Sequence, residues 1–458
     1  MPLTFPALAR VRSLGALLLL SLTFAASAQA QKETTPLPFN PQDGEAVVFL
    51  GDSITHQCLY TQYLENFFIT RYPDRRIHFH NAGVSGDKAG DALARFEHDV
   101  AALKPDYVTI LLGMNDGQYE DFNAETFETY RNGMTEIVSR IKELGATPII
   151  LSPTMFDHHI VETRIDDEDW RFRTREFSPY YNALLAFYGG WALEEAGRQD
   201  VPFVNLWGPL NEHTIEQRRL DPDFSLVYDA IHPQASGQMV MAFETLFQLG
   251  VEQSSKGAVS INRRGDRWIS RSAKDIQVNE DGTEMTFTSL ANSLPWVIPA
   301  AESSMDLKWG LPSDGRLGYK ITKAGHKLSA DRLKVVGLEP GNYEVAIDGQ
   351  VIGTWNHVTL GTKIEIQEND KTPQFQQALE VALMNQKRND EIIRPLRDTW
   401  ARIKRTRNSS AESKDAEMEK LLAEATKLRK EADAQLDAIY AAAQPVEHTW
   451  TLRKLADK

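Results

Sequence analysis

Between residues 45 and 250, short apolar runs alternate with longer stretches of helical periodicity. Ala46-Val47-Val48-Phe49-Leu50 ends at Gly51, and a weaker run from Ile77 to His80 ends at Asn81-Ala82-Gly83. Tyr107 to Leu112 stops at Gly113; Pro148-Ile149-Ile150-Leu151 and Pro202-Phe203-Val204 complete the set. Between the third and fourth runs, Phe127, Tyr130, Met134, Ile137, Ile141 and Leu144 recur every three or four residues, and Gly145 is placed as a stop. Strands separated by helices pair in parallel and carry helices on both faces. Five such units predict an α/β fold with a doubly wound parallel sheet of flavodoxin-like order, whose ligands bind beyond the carboxyl ends of the strands.

Beyond residue 257 the pattern changes. Thr283 to Thr288 alternates, and Gly341 to Ile347 leads through Asp348-Gly349 into Val351 to Trp355, a hairpin signature. We read 257–370 as a small β-sandwich-like module and Leu294-Pro295-Trp296 as an extended linker strip. From 371 to 443 the pattern is helical. Phe375, Leu379 and Leu383, then Ile392, Leu396, Trp400 and Ile403, form one stripe, with Pro395 expected to kink it. After Asn408-Ser409-Ser410, Met418, Leu421, Ala425, Leu428, Ala432, Leu436 and Ile439 suit a helical hairpin or coiled coil, packed within the chain or between chains, so self-association through these helices is an open expectation.

The first thirty residues read as an address. Arg10 and Arg12 precede an apolar run from Leu14 to Ala26, followed by Ala26-Ser27-Ala28 and Ala28-Gln29-Ala30. This is the pattern of a secretory signal peptide cleaved after Ala28 or Ala30. The run is shorter than a spanning helix needs, and no later stretch is long and apolar enough, so the mature chain is expected to be extracytoplasmic without a transmembrane segment.

Charge and cysteine content narrow the chemistry. The formal charge of −14 opposes a general nucleic-acid binder, which must neutralise phosphates. The single cysteine, Cys58, excludes an internal disulfide and any multi-cysteine metal site. Adjacent His158-His159 beside Asp157 lack a spaced third ligand, so no metal is expected there.

The residues just after the first three strands are Gly51-Asp52-Ser53-Ile54-Thr55, Asn81 to Gly86 and Gly113-Met114-Asn115-Asp116; Asp229-Ala230-Ile231-His232 precedes the last helix. The three post-strand pieces are expected to converge on one rim. A serine hydroxyl needs an adjacent base, and His232 can take its proton and return it. Asp229, three residues earlier, can hold the second imidazole nitrogen. Backbone N–H groups of Ser53 and Gly83 and the amide of Asn115 can supply an oxyanion hole. His56 and His80 flank the same rim and read as polar rim residues.

In these four blocks the sequence resembles the SGNH or GDSL hydrolases over roughly 45–250. Gly51-Asp52-Ser53 matches the first block, Gly83 the second (with Asn81 and Gly86 also fitting), Gly113 to Asp116 the third, and Asp229 to His232 the last; Ile54 replaces the family's leucine. The resemblance implies Ser53 as nucleophile, Asn115 as oxyanion donor, Asp52 and Asn81 as supporting residues, and acyl-ester hydrolysis without metal or other cofactor. An α/β-hydrolase is set aside because its Gly-x-Ser-x-Gly elbow is absent.

The expected function is that of a secreted serine esterase acting on a small ester or acylated carbohydrate, acetyl esters first. The alternatives are a lysophospholipase or thioesterase, and a catalytically silent carbohydrate-binding or surface protein. The segment 157–179 follows the fourth strand as an insertion of about 20 residues, longer than most connections. Within it, Trp170 and Phe172 are the expected substrate contacts.

Overall fold

The computed structural model describes residues 39–251, 257–300, 314–410 and 414–456. The signal-peptide expectation falls on residues outside this set. The described residues form one compact unit.

A parallel sheet of order β2-β1-β3-β4-β5 holds the chain's first strands, β1 (Ala46–Gly51), β2 (His78–Gly83), β3 (Tyr107–Leu111), β4 (Thr147–Leu151) and β5 (Phe203–Val204). Its interior strand β1 is buried at all six positions, as a strand covered on both faces must be. The intervening helices are α1 (Ser53–His56), α2 (Leu59–Arg71), α3 (Ala89–Asp99), α4 (Ala124–Glu143), α5 (His158–Arg164), α6 (Tyr181–Gln199) and α7 (Trp207–Arg218), with α8 (Ala235–Gln248) closing the layer. The periodic positions Tyr130, Met134, Ile137 and Ile141 are the buried face of α4. Gly51 pairs with Gly83 on one side and Leu111 on the other, so the ends of three adjacent strands lie level. Strand order reverses at β1, where the chain leaves toward β2 and later returns to β3, and a crevice opens between the following loops.

Two further sheets share one apolar core. The first has order β13-β10-β6-β7, from β6 (Val259–Arg264), β7 (Arg267–Ser270), β10 (Arg332–Val336) and β13 (Ile364–Glu365). The second has order β12-β11-β14-β9-β8, from β8 (Lys274–Val278), β9 (Glu284–Leu290), β11 (Asn342–Ile347), β12 (Gln350–Asn356) and β14 (Glu447–Lys454). Ile261, Leu333 and Val335 of one meet Phe287, Val345, Trp450 and Leu452 of the other. The β11–β12 turn uses Asp348 at φ 50° and Gly349 at φ 82°, the left-handed pair that a two-residue hairpin needs. The second sheet is completed from far along the chain, because β14 lies between β9 and β11. Trp296 is no linker residue: it is fully buried against Phe67, and its indole N–H donates to Tyr63 O at 3.1 Å.

Three short helices, α9 (Gly315–Thr322), α10 (Ala324–Leu328) and α11 (His357–Thr362), precede the long C-terminal ones: α12 (Pro373–Arg388), α13 (Arg394–Arg407) and α14 (Lys414–Ala442). A π-helical turn, Asn389–Ile393, joins α12 to α13, with Pro395 in the first turn of α13, where its missing N–H matters least. These helices pack within the chain. Leu436, Ile439 and Ala378 cover Ile69 of α2, and Leu396, Trp400 and Leu421 cover Val84 in the loop after β2.

Buried charge ties the C-terminal helices to the parallel-sheet domain. Asp99 accepts from Arg95 Nη1 at 2.7 Å and from both terminal nitrogens of Arg397 at 2.9 and 3.0 Å. Arg388 pairs with Glu65 at 3.0 Å with both side chains buried. Lys404 donates to Gly86 O and Asp87 Oδ1, each at 2.9 Å. Among the described residues, no helix is long and apolar enough to cross a membrane.

Candidate active site

The end of β1 turns directly into α1. A Cβ on Gly51 would sit 2.1 Å from Thr55 Oγ1, so only glycine lets α1 fold back this tightly. Asp52 then caps α1, its Oδ1 accepting from Ile54 N at 2.9 Å, and Ser53 becomes the first helical residue. Ser53 N–H donates to no described residue, as expected at an open helix start.

The segment before α8 brings the other two groups to Ser53. Asp229 Oδ1 accepts from the backbone N–H of Ile231 at 2.9 Å and of His232 at 2.7 Å, which coils the tetrapeptide tightly. Ala230 is forced to φ 76°, a conformation seldom adopted outside glycine and one that clusters at functional sites. Asp229 Oδ2 lies 2.8 Å from His232 Nδ1, and His232 Nε2 lies 2.8 Å from Ser53 Oγ. Burial acts to raise the Asp229 carboxyl, but facing His232 and its hydrogen bonds hold it below its ordinary range. It is therefore an ionised acceptor for the imidazole. Ser53 and His232 are 7% and 5% exposed, so the reacting pair is largely shielded from solvent.

Asn115 stands across from this pair. Its Nδ2 lies 3.3 Å from Asp52 Oδ2 and 3.1 Å from Asp87 O, and its Oδ1 accepts from Tyr119 Oη at 3.0 Å. The neighbouring Asp116 staples this turn to α3, accepting from Ala89 N at 2.8 Å and Gly113 N at 3.0 Å. Burial pushes the Asp52 carboxyl up to about 7 and that of Asp116 up to about 6.

Some expected residues are placed otherwise. Gly83 N–H is already donated to Asn81 Oδ1 at 2.9 Å, so it is not an open oxyanion donor in this arrangement. Asn81 also donates to Thr55 O at 2.7 Å, clamping β2 to α1; a Cβ on Gly83 would meet His56 N at 2.3 Å. Gly83 is thus required for packing, and Asn81 supports from behind. Trp170 is 2% exposed, with its ring edge-on to Phe172, so it backs the wall and offers no face to a substrate. Phe172 does reach the site: its ring stacks on His232 at 6.4 Å between centroids and 17° between planes. His56 is buried, with Nδ1 3.1 Å from Ser85 Oγ, and is no rim contact. Burial draws the imidazole of His80 down to about 3.

Sequence reasoning passed over Tyr119 and Asp87, which orient Asn115. Tyr119 is carried by two successive left-handed residues, Gln118 at φ 62° and Tyr119 at φ 67°. Neither is a residue type that announces such a turn.

Residues 49–240 match the GDSL-like Lipase/Acylhydrolase family. That stretch of this chain belongs to it, and the chain is a hydrolase of ester bonds. An acetylxylan esterase of Geobacillus stearothermophilus is 28% identical over 231 residues, covering 46% of this chain and 95% of that protein. An uncharacterized lipoprotein of Bacillus subtilis strain 168 is 26% identical over 145 residues, 30% of this chain and 56% of its own length. The solved structure of a gut microbial diltiazem-metabolizing enzyme superposes with a TM-score of 0.77 at 24% identity, covering 91% of this chain and 99% of that one, and so shares the fold well beyond the parallel sheet.

Proposed function

We propose that this protein is an extracytoplasmic serine esterase that removes short acyl groups, acetyl foremost, from carbohydrate. The observation that carries the reading is the unbroken chain from Asp229 through His232 to Ser53, with both links at 2.8 Å. Ser53 Oγ attacks the ester carbonyl as His232 Nε2 takes its proton, and Asp229 stabilises the imidazolium. The tetrahedral oxyanion is met by Ser53 N–H and by Asn115 Nδ2, which turns from Asp87 O toward it. Collapse breaks the bond to the alcohol oxygen, which leaves with the proton from His232. Water, deprotonated by the same nitrogen, then releases the acid. Every proton in this cycle moves through His232, so no metal or cofactor is called on.

The carbohydrate side of the reading is supported by the relative named as an acetylxylan esterase, which aligns over nearly its whole length. The leader-like first thirty residues support export. In this reading 45–250 is the catalytic domain and the remaining sheets and helices are its scaffold. The test is acetate release from acetylated xylan, alongside p-nitrophenyl esters from acetyl to dodecanoyl and labelling by a fluorophosphonate. Labelling at Ser53 with activity falling along the series supports it. Rising activity with chain length turns the reading toward a lipase or lysophospholipase, and no labelling turns it toward a silent binding protein.

A further inference from the structure

Two arginines stack on aromatic rings beside the site although the chain as a whole carries −14. The guanidinium carbon of Arg175 lies 4.0 Å from the Tyr119 ring centroid and 5.5 Å from that of Phe177. That of Arg171 lies 4.4 Å from the Phe172 ring. Both rings adjoin the proposed site: Tyr119 donates to Asn115, and Phe172 stacks on His232. One cation therefore lies against each of these two rings.

Both arginines are exposed, and Arg175 pairs with no carboxylate among the described residues. A guanidinium laid on an aromatic face keeps its in-plane N–H groups at the edge, where they can grip a carboxylate in a fork. The segment that carries them is an ordered one. Arg173 N–H donates to Trp170 O at 3.1 Å, Arg175 N–H to Phe172 O at 2.9 Å, and Ser178 N–H to Tyr119 O at 2.9 Å, while Trp170 is buried beneath. Turn bonds and a buried indole fix where the two charges stand, and such fixed charges select substrates as well as attract them.

We propose that Arg171 and Arg175 are specificity-determining residues for an anionic substrate: the preferred ester is an acylated sugar chain bearing a carboxylate, as a uronate does, close to the acylated hydroxyl. The inference rests on the esterase reading given above and narrows its substrate class. The cations act on the alcohol portion, since an acetyl group has no room for a second charge.

The test compares kcat/KM for an acetylated oligouronate and for the same compound with its carboxylates methyl-esterified, in the wild type and in Arg171→Gln/Arg175→Gln. p-Nitrophenyl acetate is the common reference. In the wild type the free carboxylate should be preferred by about five- to tenfold, chiefly through KM, since each exposed pair contributes less than tenfold. The preference should shrink with added salt and fall to near one in the double variant. Equal rates for the two compounds in the wild type would overturn the proposal. So would a double variant that loses the same factor on both, because the arginines would then be serving the oxyanion of any ester. If p-nitrophenyl acetate is cleaved and neither sugar ester is, the substrate class is wrong while the esterase stands; if nothing is cleaved, the esterase reading itself has failed.

Discussion

Tyr119 Oη donates to Asn115 Oδ1 at 3.0 Å, and in doing so fixes which end of the Asn115 amide faces Asp52. A side-chain amide has two nearly isosteric orientations, and only one presents N–H groups to an oxyanion. Tyr119→Phe should lower kcat by about three- to tenfold with little change in KM, because the affected donor acts on charge that appears only in the transition state. Asn115→Ala should lower kcat by about 10²–10³-fold. Steady-state kinetics on p-nitrophenyl acetate would check both, and a loss confined to KM would make Asn115 a substrate contact.

Ser53→Ala should abolish turnover and leave the fold intact. The hydroxyl bonds to His232 and to no packing partner, so the thermal midpoint should move by only a few degrees. Residual ester hydrolysis in the purified variant at more than trace level would move the nucleophile elsewhere.

Asp52 makes stability fall with rising pH. Its folded-state carboxyl titrates near 7 instead of the ordinary 3.8, so the folded protein holds a proton that the unfolded chain releases. The contribution is complete below about pH 4 and is lost as pH rises toward 7. Asp52→Asn, neutral throughout, should therefore gain on the wild type across that window by a few kcal/mol. Urea denaturation of the pair at pH 4, 5.5 and 7.5 reads the difference directly; a constant gap would remove Asp52 as its source.

Asp99 is the shared anion for Arg95, Arg397 and Arg429. Arg95 keeps Asp87 as a second partner, but Asp99→Asn would leave the buried Arg397 guanidinium without its counter-charge, which costs about 3–5 kcal/mol. Chemical denaturation should show that loss, and α13 and α14, which carry Arg397 and Arg429, should become more accessible to protease.

Trp170→Ala should behave as a core truncation and cost about 3–5 kcal/mol. Its effect on activity should arrive through Phe172, whose edge-on support it removes. A variant as stable as the wild type but with weakened sugar binding would restore Trp170 as a substrate contact.

What the sequence reveals here follows the range of the interactions. The strands of the parallel sheet are local apolar runs, several ending in glycine, and Ser53 and Asn115 lie just after two of them, so the strands and this placement are legible in the sequence. Asp229 and His232 are three apart, and a single coil brings them together. Trp170 misleads because its neighbours in sequence, Asp169 and Arg171, are charged, while its neighbours in space are Phe172 and Phe177. Gly83 reads as a donor because nothing in the linear sequence shows that the Asn81 side chain, two residues earlier, accepts its N–H. The arginine ties to Asp99 and Glu65 join residues about 300 apart and leave no local trace.

The placement of β14 sets an order of events for the growing chain. Strands β9 and β11 both pair with Glu447–Lys454 and with each other not at all, so each exposes a row of unanswered N–H and C=O groups until that strand emerges. Roughly 100 residues lie between the end of β11 and the start of β14, which at ribosomal rates is on the order of ten seconds. For that interval the nascent protein carries two open sheet edges, the features through which chains join one another. The parallel sheet, with its strands complete by Val204, has no such wait.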